Sequence, residues 1–267
     1  MELIDESKSL GVILRQRPAG VVIATPSATH AKVAIPFIEA GVPTFIEKPM
    51  ATTVNDALRI RDAAFGSGAP VVVGHVQLYN PAFQVAKNVL PDLGPVHAVL
   101  WEGMNHHPRN DSSVLWDWLP HGLSMAQALL GATPASAQAW GVGDPPGFKA
   151  AIARFVISDV PVVTNVSWMS PLKRHRMTIL GEGNSLTFDD TAKRKVSLSV
   201  SGSTSFPSYG DEPPLTRELR AFIDVLGAGK WDMTGLGSEV AIVRAIAAAE
   251  QSARSAGRLV AIDICQS

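Results

Sequence analysis

The segment from Gly20 to Pro49 constrains the fold of this chain more than any other part of the sequence. Val21 to Ala24 is a short apolar run bounded by turn residues, which is typical of a buried strand in a parallel sheet. A polar turn follows, then a helical stretch from His30 to Ala40, and then a second apolar run from Thr44 to Glu47. The order strand, helix, strand predicts one βαβ unit of a parallel sheet.

Lys48 follows the second of these strands directly and stands between Glu47 and Pro49. In open α/β sheets, ligands bind at the carboxyl ends of the strands. A lysine at that edge is a compact cation that can stabilise negative charge developing on an oxygen atom. Lys48 is therefore a candidate catalytic residue, and the alternative is a solvated lysine at the end of a strand.

The rest of the chain predicts a second domain of a different kind. Val71 to Val73 reads as the last strand of the parallel part. Several strand-like segments between Ala137 and Val200 are separated by turn residues, which favours an antiparallel sheet. The predicted fold class is α/β, with a partial doubly wound (Rossmann-like) parallel sheet in residues 1–74, followed by an α+β domain with an antiparallel sheet in residues 75–267.

A second pair of chemical residues lies in the sequence Asp-Trp-Leu-Pro-His, which places Asp117 and His121 four positions apart. The sequence predicts a helix from Pro120 to Leu130 with the proline in its first turn. His121 would then feel the positive end of the helix dipole, which favours the neutral imidazole that a general base needs. The alternative is an aspartate that caps a helix and a histidine that packs in the core.

Composition argues against several classes of function. A net charge of −1 over 267 residues gives no basic face for nucleic acid. No apolar run approaches the ~20 residues of a membrane span, and the acidic start has no signal-peptide core. We therefore expect a cytoplasmic protein with no nucleic-acid or membrane partner. Four histidines lack the spacing of a metal site, so no metal is expected: His97, His106, His107 and His121.

The ordered set of motifs resembles the Gfo/Idh/MocA family of NAD(P)-dependent oxidoreductases. The resemblance rests on Val-Ile-Ala-Thr-Pro-x-x-x-His, a helix, Ala-Gly, a strand and Glu-Lys-Pro in that order, and it continues through Val73-Gly74-His75 and Ile179-Leu180-Gly181-Glu182-Gly183. It implies hydride transfer between NAD or NADP and a hydroxyl of a sugar, polyol or related polyhydroxylated substrate. It also implies a homo-oligomer formed through the C-terminal sheet.

The resemblance assigns roles to individual residues. Lys48 would polarise the substrate oxygen, His121 would exchange the hydroxyl proton, and Asp117 would support them. The family motif Asp-x-Gly-x-His has Leu119 in place of its glycine here. The residues predicted to contact the cofactor surround the nicotinamide half: Thr25, Pro26, Ser27, His30 and Glu47.

The Gly-x-Gly-x-x-Gly loop that opens a dinucleotide-binding domain is not found in a strand–turn–helix context in these 267 residues. The glycine pairs that begin at Gly141, Gly181 and Gly235 lack that context. The loop would belong to about two βα units, roughly 60 residues, before Val21. Because the loop binds the pyrophosphate through backbone N–H groups, we expect these residues alone to bind NAD(P)H weakly. The alternatives are a non-catalytic ligand-binding or dimerisation protein derived from such an enzyme, and an incomplete gene model of an active one.

Overall fold

The computed structural model describes residues 10–110, 112–143, 147–227 and 235–263 of the chain. By its internal contacts the chain divides into two compact units. The first comprises Met1–Gly74 and Glu218–Val243, and the second comprises His75–Arg217 and Arg244–Ser267. Among the described residues, the structure contains no helix with both the length and the apolar character that a membrane span requires.

The first unit is built on a three-stranded parallel sheet with the strand order β1-β2-β3. Its strands are β1 (Val21–Ile23), β2 (Thr44–Glu47) and β3 (Val71–Gly74), and its helices include α1 (Leu10–Arg15), α2 (His30–Glu39) and α3 (Val54–Ser67). The sequence-based prediction of a parallel Rossmann-like sheet in this part of the chain is confirmed.

The ends of α3 show how local sequence sets the bounds of a helix. The hydroxyl of Thr53 accepts a hydrogen bond from the backbone N–H of Asp56 at 3.1 Å, which satisfies one of the N–H groups left without a helical partner. Gly68 ends the helix at a φ of +73°, in the left-handed region where glycine carries no steric penalty. The chain then enters β3, all of whose residues are buried.

The core of the first unit includes side chains from a distant part of the sequence. Helix α6 (Pro214–Gly227) contributes Phe222 and Val225, which cluster with Phe45 and Val72 of the sheet. The rings of Phe45 and Phe222 lie 5.6 Å apart in an edge-to-face arrangement. These contacts explain why Glu218–Val243 groups with the first unit, whereas the sequence-based division at Gly74 assigned those residues to the second domain.

The second unit contains a nine-stranded sheet with the order β11-β10-β9-β8-β4-β7-β6-β5-β12. Its strands are β4 (Ala98–Met104), β5 (Ser136–Val142), β6 (Ala150–Ile157), β7 (Val160–Ser167), β8 (Arg174–Leu180), β9 (Ser185–Asp189), β10 (Val196–Val200), β11 (Ser203–Ser205) and β12 (Val260–Ala261). Neighbouring strands are antiparallel except for β4 and β7, which pair in parallel. The predicted α+β domain is confirmed, with this one parallel pair as the departure.

Three further helices belong wholly or partly to this unit: α4 (Pro81–Val89), α5 (Val114–Leu130) and α7 (Gly235–Arg254). The predicted start of α5 at Pro120 was wrong, because the helix begins six residues earlier, at Val114. Its first turns bury Val114, Leu115, Trp118 and Leu119, which recur at helical spacing along one face. This burial offsets the backbone hydrogen bond that Pro120 removes from the interior of the helix.

Phe222→Ala is expected to lower the free energy of unfolding by about 3–5 kcal/mol, because it removes a ring buried against Phe45. The neighbouring Ile223 is 62% exposed, so the matched variant Ile223→Ala should change stability by only about 0.5 kcal/mol. Urea unfolding of both variants measures the difference. Equal losses in the two variants would contradict the placement of α6 in this core.

Candidate active site

The turn after β1 lies at the carboxyl edge of the parallel sheet. The hydroxyl of Thr29 lies 2.8 Å from Oγ1 of Thr25 and 2.7 Å from the carbonyl oxygen of Pro26, so the turn is tied together by its own side chains. Thr25 is half-buried, Pro26 is exposed and Ser27 is buried. The turn therefore offers hydroxyl and backbone groups at the edge where α/β sheets bind ligands.

Lys48 directly follows β2 at the same edge of the sheet and is half-buried. Its peptide bond to Pro49 is cis. Glu47 is in register with Gly74, the last residue of β3. A Cβ atom on Gly74 would come within 2.7 Å of the Phe45 ring and 3.4 Å of Oε2 of Glu47, so the Glu47 carboxylate lies beside the end of β3.

His30 joins the two turns of this edge. Its Nε2 lies 2.9 Å from the carbonyl oxygen of Thr25, and its Nδ1 lies 2.9 Å from the carbonyl oxygen of Pro49. The side chain is buried, with a relative exposure of 1%. Both ring nitrogens thus face backbone carbonyl oxygens of this unit, and the tautomer decides to which oxygen a ring N–H donates. The buried imidazole packs between the turn after β1 and the segment that carries Lys48.

Asp117 lies in the second unit, near the start of α5, and the partners of its carboxylate include a tryptophan and an arginine. The indole N–H of Trp168 donates a hydrogen bond to Oδ2 at 3.0 Å. Nη1 of Arg109 lies 4.0 Å from Oδ1, at the outer limit of an ion pair. The Asp117 side chain is 15% exposed, so a fixed carboxylate remains within reach of a bound molecule.

His121 follows one helical turn after Asp117, so both side chains lie along the same side of α5. The prediction that His121 lies in the first turn of its helix was wrong, since seven residues of α5 precede it. The effect of a helix dipole on a side chain fades beyond the first turn, so the argument from the dipole does not apply to His121.

The side chain of His121 lies among other aromatic rings. Its ring centroid lies 6.0 Å from Trp118 and 5.6 Å from His175, with edge-to-face geometry in both pairs. His175 in turn lies 4.6 Å from the ring of Trp101 and 5.8 Å from that of Trp118. We call these four residues, Trp101, Trp118, His121 and His175, the aromatic cluster.

Two glycines make room for the aromatic cluster. A Cβ atom on Gly122 would come within 2.5 Å of Cδ1 of Trp101, and one on Gly103 would come within 2.6 Å of Cε3 of Trp118. Neither approach is tolerated between real carbon atoms, so the two indoles occupy the space that side chains would otherwise fill. The backbone of α5 can therefore approach β4 closely.

His175 was not identified from the sequence as a site residue. It is buried at 4% exposure on β8, and burial lowers its pKa to about 4, so the ring is neutral at neutral pH. A signal for its burial is present in the strand, because His175, Met177 and Ile179 alternate with exposed or half-buried positions. The strand pattern does not reveal that the ring faces His121, because that contact joins β8 to α5.

A polar network supports the backbone next to His175. The Asp190 carboxylate accepts hydrogen bonds from Lys195 at 2.8 Å and from Asn80 at 3.0 Å, and the backbone N–H of Asp190 donates to the carbonyl oxygen of His175 at 3.0 Å. Burial acts to raise the pKa of Asp190, but the bond to Lys195 and its charge outweigh burial, and the pKa is lowered. Asp190 is therefore an anion at neutral pH.

Among the residues that the structure describes, no group of three or more His, Cys, Asp or Glu side chains is arranged to hold a metal ion. The predicted catalytic residues fall into both units: Lys48 in the first, and Asp117 with His121 in the second. The predicted cofactor residues all lie in the first unit, at or next to the carboxyl edge of its sheet.

Known proteins resemble this chain in sequence and in fold. The Gfo/Idh/MocA family model, described as an oxidoreductase family with an NAD-binding Rossmann fold, matches residues 5–75. A crystal structure of a protein assigned to the oxidoreductases, from Magnetospirillum magnetotacticum MS-1, is 31% identical to this chain. The match covers 91% of this chain and 83% of that chain, with a TM-score of 0.82.

Two further relatives match different extents of the chain. Inositol 2-dehydrogenase 2 from Saccharopolyspora erythraea is 31% identical over 132 residues, which are 47% of this chain but only 39% of that relative. An inositol dehydrogenase homolog from Azotobacter vinelandii, crystallised with NADH and myo-inositol, is 17% identical and shares the fold, with a TM-score of 0.81 over 94% of this chain and 82% of that chain. The resemblance inferred from the sequence is confirmed: the chain belongs to the Gfo/Idh/MocA family of oxidoreductases.

Proposed function

We propose that this protein takes part in the NAD(P)-dependent oxidation or reduction of a hydroxyl group on a sugar, polyol or related compound. The observation that carries the proposal is the Asp117–His121 pair, one helical turn apart on α5, with the carboxylate fixed by Trp168. A positioned carboxylate beside an imidazole is an arrangement that can bind a hydroxyl group and exchange its proton. The names of relatives that act on inositol, itself a polyol, support the substrate class.

The proposed cofactor contacts concern the nicotinamide half of NAD or NADP. When bound, the cofactor supplies the hydride acceptor or donor of the reaction. Thr25, Pro26 and Ser27 would contact it, because their turn presents hydroxyl and carbonyl groups that suit a ribose or a carboxamide. The Glu47 carboxylate, which lies beside the end of β3, would also contact the cofactor.

His30 has a positioning role rather than a role in contacting the cofactor. Because both of its ring nitrogens lie 2.9 Å from backbone carbonyl oxygens, it is better suited to hold the cofactor turn in place than to contact the cofactor itself. It links Thr25 to Pro49, so it also restrains the backbone next to Lys48. His30 is therefore proposed as a positioning residue of the cofactor edge.

In the direction of oxidation, the chemical roles divide among three residues. The Lys48 ammonium donates a hydrogen bond to the substrate oxygen and stabilises the negative charge that develops as the proton leaves. The His121 imidazole accepts that proton. The Asp117 carboxylate, oriented by Trp168, binds a substrate hydroxyl and favours the imidazolium that forms at His121. In reduction the same residues return the proton to the oxygen.

Lys48→Ala should lower kcat by about 100-fold or more, because it removes a donor to the developing oxyanion. The thermal midpoint should change little, since the side chain is only partly buried. Lys32→Ala, which removes an exposed lysine on α2, is the matched control. The assay follows reduction of NAD+ and NADP+ with a panel of polyols and sugars. Normal turnover by Lys48→Ala would remove Lys48 from the mechanism.

The assay is run on two forms of the protein, because the sequence predicts weak binding of NAD(P)H by these 267 residues alone. One form is the chain itself, and the other carries an added strand–Gly-x-Gly-x-x-Gly–helix segment at its N-terminus. If neither form turns over any compound of the panel, the proposed activity fails and the non-catalytic alternative replaces it.

We also propose that the protein is a homo-oligomer formed through the nine-stranded sheet. On β5 and β6, the alternate residues that do not face the core include exposed apolar side chains, and Trp140 is in register with Ile152. The same face of β4 carries Glu102, which pairs with Arg174 of β8 at 3.3 Å. The exposed apolar residues of this face are Leu100, Trp140, Val142 and Ile152. An apolar patch that also carries charges of both signs suits contact with a second copy of itself.

Ile152→Glu should convert the oligomer into a monomer, because it places a charge in the proposed interface. Phe65→Glu is the matched control, since Phe65 is similarly exposed, at 57% against 52% for Ile152, but lies on α3. Light scattering across a range of protein concentrations measures the mass. A wild-type monomer, or an Ile152→Glu variant with the wild-type mass, would contradict the interface.

A further inference from the structure

The ring of His121 has two aromatic neighbours among the described residues, and they belong to different elements. Trp118 lies on α5, one turn before His121, and so it moves with the helix. His175 lies on β8 and approaches the His121 ring from the sheet, at 5.6 Å and an interplanar angle of 71°. The contact with His175 therefore links the His121 ring directly to a residue of the sheet.

His175 is itself held on several sides. Its backbone is in register with Gly103 of β4, and its carbonyl oxygen accepts a hydrogen bond from the N–H of Asp190 at 3.0 Å. Its side chain lies edge-to-face with Trp101 at 4.6 Å. A side chain restrained in this way has little freedom to change rotamer, so it provides a rigid surface for a neighbouring ring.

We propose that His175 is a positioning residue, which sets the orientation of the His121 imidazole through their ring contact and thereby aligns it with the substrate hydroxyl. The inference rests on the proposed function, because it concerns the same histidine. It goes beyond that function by assigning a role to a buried residue that contacts neither substrate nor cofactor in the proposed mechanism.

The charges around His175 are compatible with this role. Burial is the largest influence on the pKa of His175 and lowers it. The negative charges of Asp190 and Asp189 act to raise this pKa, and the positive charge of Lys173 acts to lower it. The result, a pKa of about 4, leaves the ring neutral throughout the pH range in which imidazoles usually titrate. His175 therefore presents no positive charge that would disfavour protonation of His121 during the reaction.

The test compares two substitutions of different shape. His175→Ala removes the ring, so kcat should fall about 10- to 100-fold, the loss expected for a misaligned catalytic group, while KM stays within about twofold. His175→Phe keeps a ring of similar size against His121, so it should restore kcat to within about twofold of wild type. His97→Ala, which removes an exposed histidine just before β4, is the control.

A second measurement does not depend on turnover. The chain contains seven histidines, so their ring protons can be assigned by NMR with one substitution at a time. The contacts between the rings of His121 and Trp118 should weaken in His175→Ala, together with broadened His121 signals, and should return in His175→Phe. His97→Ala should leave them unchanged.

The outcomes separate the two proposals. If wild type is inactive but the His121 signals respond to His175→Ala as described, the proposed activity fails and the positioning contact stands. If His175→Ala keeps wild-type kcat, or if its His121 signals match those of wild type, the positioning role is overturned. A His175→Phe variant that folds but is as inactive as His175→Ala would also overturn it, because the ring contact would then be insufficient.

Discussion

The close approach of α5 to β4 is the constraint on which the second unit depends. It is possible because Gly122 leaves room for the indole of Trp101, and Gly103 leaves room for the indole of Trp118. A Cβ atom at either glycine would collide with the indole that it faces. Since protein interiors are packed to the density of organic crystals, this fit allows little sliding of the helix along the sheet. The packing of α5 against β4 therefore sets the position of His121 relative to the sheet.

In the first unit, a polar side chain restrains the segment that carries Lys48. His30 is buried and lies between two carbonyl oxygens, one in the turn after β1 and one immediately after Lys48. A buried ring N–H is stable when it donates a hydrogen bond, and an imidazole packed between two turns restrains both of them. Buried neighbours thus place a proposed catalytic residue in each unit. For Lys48 the neighbour is a histidine that lies against backbone carbonyl groups, and for His121 the neighbours are aromatic rings.

The parts of this arrangement that depend on local sequence could be predicted, and the parts that depend on distant contacts could not. Lys48 was placed correctly at a strand end, because the two short apolar runs between turn residues matched the strands β1 and β2 to within a residue. The start of α5 was missed because Pro120 resembles a first-turn proline, whereas packing of the preceding turns extends the helix. His175 was missed as a member of the aromatic cluster, and Phe222 was missed as a member of the core of the first unit, since those contacts join segments far apart in the sequence.

The pH dependence of kcat/KM in His121→Asn, with His97→Asn as control, shows whether His121 accepts the proton of a substrate hydroxyl. For oxidation, wild-type activity should rise with pH through the range in which imidazoles titrate, because only the neutral ring accepts a proton. We predict that His121→Asn loses this rise and about 100-fold or more of the activity at its plateau, while His97→Asn keeps both. A His121→Asn variant that retains the wild-type pH profile would show that His121 is not the base.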